Sequence, residues 1–255
     1  MLIDTHAHIN FDNYNADRGE MLARAKSSGV EKIVCIGMQP DGAREAQALA
    51  KANPGFVYAS AGCHPYDAAL LDDACVAEFE ALLRQPEFVL MGEMGVDTVK
   101  LDVALDVQER AFARQLELAI KLDKPVCIHS REAFPIVERV IRKVRPQGWK
   151  GFAHCFSDGP EEAQRWRELG FFISFAGQVT FKNAENLRQA ARALKPSDIV
   201  VETDCPFLAP MPNRGKRNEP AYARITAELL AGVMGVPFAE FAQQTTANAR
   251  AMLGI

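Results

Sequence analysis

The sequence predicts a (β/α)₈ barrel of the TIM type, and three observations carry that expectation. Short apolar runs alternate with amphipathic segments along the whole chain, and eight such runs can be counted. The runs are rich in Val, Ile and Phe without polar alternation, as parallel strands covered on both faces require. At 255 residues the chain has the length that eight strand-then-helix units need. Residues 1–255 are therefore expected to form a single domain.

The strands are expected near 2–6, 32–36, 56–61, 88–92, 125–129, 150–154, 171–175 and 199–202. The first runs from Leu2 into His6, and the second is the uninterrupted apolar stretch Ile33-Val-Cys-Ile36. Turn signals then separate the units: Asn53-Pro54-Gly55 before the third strand, Gln85-Pro86 before the fourth, Pro146-Gln147-Gly148 before the sixth, Asp158-Gly159-Pro160 after it and Lys195-Pro196 before the eighth. Between the fourth and fifth strands, Phe112, Leu116, Ala119 and Ile120 recur at spacings of three and four, which predicts a helix over 107–122 with one apolar stripe against a sheet. The stretch from Cys205 to Pro220 contains four prolines and is expected to lie as a long loop over the barrel mouth.

Composition narrows the function classes. No run approaches the roughly 20 apolar residues of a membrane span, and no secretory leader pattern opens the chain, so a soluble cytoplasmic protein with no membrane partner is expected. No obligate protein partner can be inferred. The six cysteines lack CxxC spacing and read as reduced core residues, although Cys155 and Cys205 directly follow candidate metal ligands. A net charge of −4 excludes the broad basic surface of a protein that grips nucleic acid mainly by counterion release. A phosphate substrate would need metal and a local basic cluster, for which Arg214, Lys216 and Arg217 are the candidates.

All five histidines sit at or next to the end of an expected strand: His6, His8, His64, His129 and His154. In a barrel of this kind the loops that follow the strands converge at their C-terminal ends, so these imidazoles are placed to meet on metal. His6 and His8 are two apart on an extended segment and project from the same face. Glu93 closes the fourth run, where a lone carboxylate would be costly unless paired or bound to metal, and it can bridge two cations, one through each oxygen. Asp204 ends the eighth strand and can serve as both ligand and general base. Glu202, two residues earlier, is suited either to orienting a ligating histidine or to a buried ion pair. His64 and Arg131 are the expected contacts for substrate phosphate. Phe156, Phe175, Phe181 and Phe207 could stack bases, or simply fill the core.

Together, Asp-Thr-His-Ala-His at 4–8, Gly-Cys-His-Pro at 62–65, Gly-Glu-Met-Gly-Val-Asp at 92–97, Pro-Val-Cys-Ile-His-Ser-Arg at 125–131, His-Cys-Phe-Ser at 154–157, Glu-Thr-Asp-Cys-Pro-Phe-Leu at 202–208 and Arg-Gly-Lys-Arg-Asn-Glu-Pro at 214–220 resemble the TatD family of metal-dependent hydrolases and deoxyribonucleases, within the amidohydrolase superfamily. The resemblance runs the length of the chain. It implies a TIM barrel with two metals, His6, His8, Glu93 and Asp204 on one ion and Glu93, His129 and His154 on the other. It also implies hydrolysis of phosphodiesters, with DNA as the substrate of several members. One departure stands out: where the family usually places an aromatic after its Gly-Leu-Asp, this chain has Thr98-Val99-Lys100, beside the mouth of the site.

The expected reaction is attack of metal-activated water on a phosphodiester of single-stranded DNA, with Asp204 moving the proton and Arg131 and His64 steadying the phosphate. His with carboxylate ligands suits Zn, Mn, Ni or Fe, and Mg if affinity is weak. Two alternatives remain open. One is cleavage of a C–N or ester bond in a small molecule, against which the absence of a lysine on the fourth strand counts. The other is a non-catalytic metal-binding barrel, which the intact ligand set disfavours.

Overall fold

The computed structural model describes residues 1–146 and 148–255. Eight parallel strands lie in chain order around one sheet: β1 (Leu2–Ala7), β2 (Val30–Cys35), β3 (Val57–Ala61), β4 (Phe88–Asp97), β5 (Val126–Arg131), β6 (Gly151–Ala153), β7 (Phe172–Phe175) and β8 (Ile199–Val201). Outside them run α1 (Arg18–Ser27), α2 (Gln39–Ala52), α3 (Asp73–Leu83), α4 (Leu105–Leu122), α5 (Phe134–Val144), α6 (Pro160–Glu168), α7 (Glu185–Arg192), α8 (Ala223–Met234) and α9 (Phe238–Leu253). The barrel expectation holds, and the expected helix over 107–122 is α4, begun two residues earlier. The turn at Pro146-Gln147-Gly148 falls partly on Gln147, which lies outside the described residues. Among the described residues no single helix is long and apolar enough to cross a membrane.

Burial follows strand periodicity. Ile3, Val34, Leu90, Cys127, Phe152 and Val200, from six strands, form one buried cluster that Met252 and Leu253 of α9 join. Cys127, Phe152 and Val200 each lie two residues before His129, His154 and Glu202, so the same strand face carries apolar packing first and chemistry next. The larger cluster packs the helices against the sheet.

The barrel closes at β1 and β8 by hydrogen bonds around the site rather than by a long ladder. Ala7 bridges Cys205. The His8 N–H donates to Cys205 O at 2.8 Å and the Asp204 N–H to His6 O at 3.0 Å. Asp4, fully buried, accepts from the Thr203 hydroxyl at 2.6 Å and the Thr203 N–H at 2.9 Å. This seam sets His6 and His8 against Asp204, so closing the barrel assembles one half of the site.

β4 corrects the sequence reading, which ends the fourth strand at Gly92. The strand continues to Asp97 through a register shift between Met91 and Met94, and Gly95 pairs with His129. Gly92 and Gly95 are what allows β4 and β5 to come this close. Gly95 has φ 154°, and a Cβ there would collide with the His129 carbonyl oxygen. Gly95→Ala is expected to destabilise the protein by more than about 1 kcal/mol, read from urea unfolding, because the native backbone conformation is one that alanine resists.

Candidate metal centre

Two donor sets converge at the C-terminal strand ends, and Glu93 belongs to both. His6 Nε2 lies 3.1 Å from His8 Nε2, 3.5 Å from Glu93 Oε2 and 3.6 Å from Asp204 Oδ1, and His8 Nε2 lies 3.4 Å from Asp204 Oδ1. Four ligands at about 2.1 Å from a tetrahedral ion stand about 3.4 Å from one another. The observed spacings bracket that value, so these side chains fit a divalent metal. On the other side of the carboxylate, Glu93 Oε1 lies 2.8 Å from His129 Nδ1, 3.5 Å from His154 Nε2 and 3.4 Å from His64 Nε2. Asp204 Oδ1 is also 4.0 Å from His154 Nε2, which places this carboxylate between the two groups.

The partners of the far ring nitrogens decide which of these atoms offers a lone pair. Glu202 Oε1 is 2.8 Å from His154 Nδ1, so an N–H there leaves Nε2 free for an ion. The same oxygen accepts the Cys155 N–H at 2.8 Å, and Oε2 accepts the Ser174 hydroxyl at 2.6 Å. Glu202 therefore pairs with histidine and with no lysine or arginine among the described residues. His129 Nε2 is 3.0 Å from Asp97 Oδ2, which turns Nδ1 toward Glu93. His6 Nδ1 contacts Cys127 Sγ at 3.3 Å, leaving Nε2 inward. His64 differs: its Nδ1 accepts the Tyr66 N–H at 3.2 Å, so the neutral ring carries its proton on Nε2 and presents a donor to the site.

Electrostatics follow from five imidazoles sharing few acids. Burial and the neighbouring His154 drive the His6 pKa well below its ordinary value, keeping the ring neutral and able to ligate. Burial works against charge on His154 too, but the Glu202 and Glu93 carboxylates overcome it and push the pKa up to about 10. Burial would raise Glu93, yet His154, His64 and His129 hold it well below the usual carboxylate range. A buried anion among imidazoles is a site prepared for cations. Burial pushes the Cys127, Cys155 and Cys205 thiols up, and all six cysteines are free.

Local backbone supports this arrangement. Asp204 takes φ 55° and Cys155 φ 46°, left-handed conformations directly at or after candidate ligands. A cavity of about 700 Å³ opens over the donors, lined also by Phe11, Met38, Tyr66, Arg131, Phe207 and Leu208. Phe156 and Phe175 are core, Phe181 packs at its edge, and Phe207 is 51% exposed on the cavity.

The expected basic cluster at 214–217 is not brought together there. The Arg217 guanidinium is held in a fork by both Asp17 oxygens at 2.7 Å. Arg214 lies over the Phe181 ring at 4.4 Å and Lys216 is exposed; none of the three lines the cavity. Sequence reasoning missed Asp97 and Tyr66, which face His129 and His64, and the buried Gln108 and Gln115 of α4, which accept from the Asp97 and Cys63 N–H groups. The signal for Asp97 was its spacing of four from Glu93 on one apolar run.

Because the first donor set spans the β1–β8 seam, metal is expected to stabilise the fold. At 100 times its dissociation constant an ion adds about 2.7 kcal/mol. A thermal midpoint that rises with added Mn or Zn and falls on chelation is the expected result.

Histidines and carboxylates converging at the C-terminal strand ends of a (β/α)₈ barrel define the class of metal-dependent barrel hydrolases. The chain belongs to the TatD related DNase family, whose model matches residues 3–254. It is 36% identical over 256 residues to YabD of Bacillus subtilis, named an uncharacterized metal-dependent hydrolase, with 100% of both chains covered. It is 30% identical over 262 residues to the 3'-5' ssDNA/RNA exonuclease TatD of Klebsiella pneumoniae, covering 100% of this chain and 98% of that one. The fold superposes on YJJV, a TatD homolog from Escherichia coli K12, with a TM-score of 0.93 at 28% identity, covering 100% and 98% of the two chains.

Proposed function

We propose that the protein is a two-metal phosphodiesterase that hydrolyses single-stranded nucleic acid, with DNA as the first substrate to test. The observation that carries this reading is Glu93, whose two oxygens face two separate histidine sets. His6, His8, Glu93 and Asp204 would hold one divalent ion, and Glu93, His129 and His154 the other. When bound, such ions polarise phosphodiester oxygens and make water acidic enough to attack at neutral pH. The mixed His and carboxylate donors suit Zn, Mn, Ni or Fe, with Mg at lower affinity.

The chain's own residues supply the rest. Asp204 takes the proton from the attacking water; its side chain is 13% exposed against 4% for Glu93, so the proton can pass on to solvent. His64 donates its Nε2–H to a phosphate oxygen, a role its tautomer suits and ligation does not. Arg131 adds a guanidinium at the cavity wall. Glu202 holds His154 in its ligating orientation. Phe207 offers an open ring face to a base. The exonuclease-named relative supports nucleic acid as the substrate class.

The test is release of nucleotides from single-stranded DNA labelled at either end, by protein stripped of metal and resupplied with Mn or Mg, beside His129→Ala. Metal-dependent release that the variant lacks is expected. No release while the ions stay bound would move the assignment to a small-molecule hydrolase.

A further inference from the structure

Asp97 is wholly buried at the end of β4, and each of its carboxylate oxygens has two donors. Oδ1 accepts the Val99 N–H at 2.8 Å and the Lys100 N–H at 2.9 Å. Oδ2 accepts the Tyr66 hydroxyl at 2.8 Å and faces His129 Nε2 at 3.0 Å. Its own N–H donates to Gln108, fixing the main chain as well. A carboxylate so surrounded has one orientation. Because it can only accept, it holds a His129 proton on Nε2; Nδ1, 2.8 Å from the equally proton-accepting Glu93 Oε1, is then the nitrogen whose proton a cation beside Glu93 would displace.

We propose that Asp97 is a positioning residue that fixes the His129 tautomer and thereby creates the second metal ligand. This rests on the reading of Glu93, His129 and His154 as holders of the second ion. The loop that follows, Thr98-Val99-Lys100, takes part through its backbone N–H groups, and the Lys100 ammonium lies over the Tyr66 ring at 4.3 Å. The segment that departs from the family pattern is thus built into the support of a ligand.

The isosteric variant makes a sharp test. In Asp97→Asn the Val99 and Lys100 N–H groups still demand an acceptor, so the amide oxygen takes the Oδ1 place and the NH₂ turns to His129. The ring must then accept on Nε2 and carry its proton on Nδ1, where it blocks the metal. Two measurements on the full chain read this without any substrate. Ring ¹⁵N spectra of metal-free protein are expected to report a proton on His129 Nε2 in the wild type and none there in Asp97→Asn, where the proton is left on Nδ1. Mn titration is expected to give two binding events in the wild type and one near-normal event in the variant, with the second weakened roughly 10- to 100-fold. Tyr66→Phe removes the other donor to Oδ2 and is expected to keep both events. An unchanged tautomer in Asp97→Asn, or two wild-type events in that variant, would overturn the assignment, as would loss of the second ion in Tyr66→Phe. A wild type that takes only one ion sinks the two-ion reading itself, and the tautomer measurement still decides for or against Asp97. Failure of DNA hydrolysis touches neither readout.

Discussion

Glu93→Gln is expected to lower kcat/KM on single-stranded DNA by at least about 10³-fold, a loss of about 4 kcal/mol of transition-state stabilisation. The size follows from geometry: Glu93 Oε2 faces His6 and Oε1 faces His129, His154 and His64, so one side chain serves both donor sets. An amide has one oxygen, and its NH₂ must face the other group of imidazoles. One ion at most should remain strongly held, and metal content per chain should fall along with activity. The variant also loses the buried negative charge that balances the histidines, so the fold should be checked by its unfolding midpoint before activity is interpreted. Activity within tenfold of wild type, with both ions retained, would remove Glu93 from the bridging position.

Asp204→Asn separates ligation from proton transfer. The amide oxygen can still approach His6 and His8 from the place of Oδ1, but it cannot accept a proton at neutral pH. A fall of about 10²- to 10⁴-fold in kcat is expected, with KM and metal content at saturating ion nearly unchanged. The left-handed backbone at Asp204, φ 55°, is one that asparagine also adopts readily, so the substitution should leave the loop in place. Full kcat in the metal-bound variant would assign the proton to another group.

Much of this architecture was legible because parallel strands covered on both faces must be apolar throughout, and such runs stand out between amphipathic helices. The histidines were legible for the same reason: a polar ring ending an apolar run has little to do there except meet a partner. The far end of β4 was not: the expected strand stopped at 92, whereas Gly92 and Gly95 carry it on by allowing close approach to β5. Asp97 lay hidden beyond that misplaced end. For Arg217 the sequence gives the charge but not Asp17, which folding brings to it across the β1–β8 side. The tautomer of His64 depends on the Tyr66 N–H, a backbone contact that no pattern of residue types announces.

If two ions act together on one phosphodiester, hydrolysis must wait for the second equivalent of metal. Protein stripped of metal is titrated with Mn while nucleotide release from end-labelled single-stranded DNA is followed. Activity that stays low through the first equivalent and rises to its plateau as the second binds is the expected result. Full hydrolysis with one ion bound, or none with both bound, would rule out a two-ion phosphodiesterase.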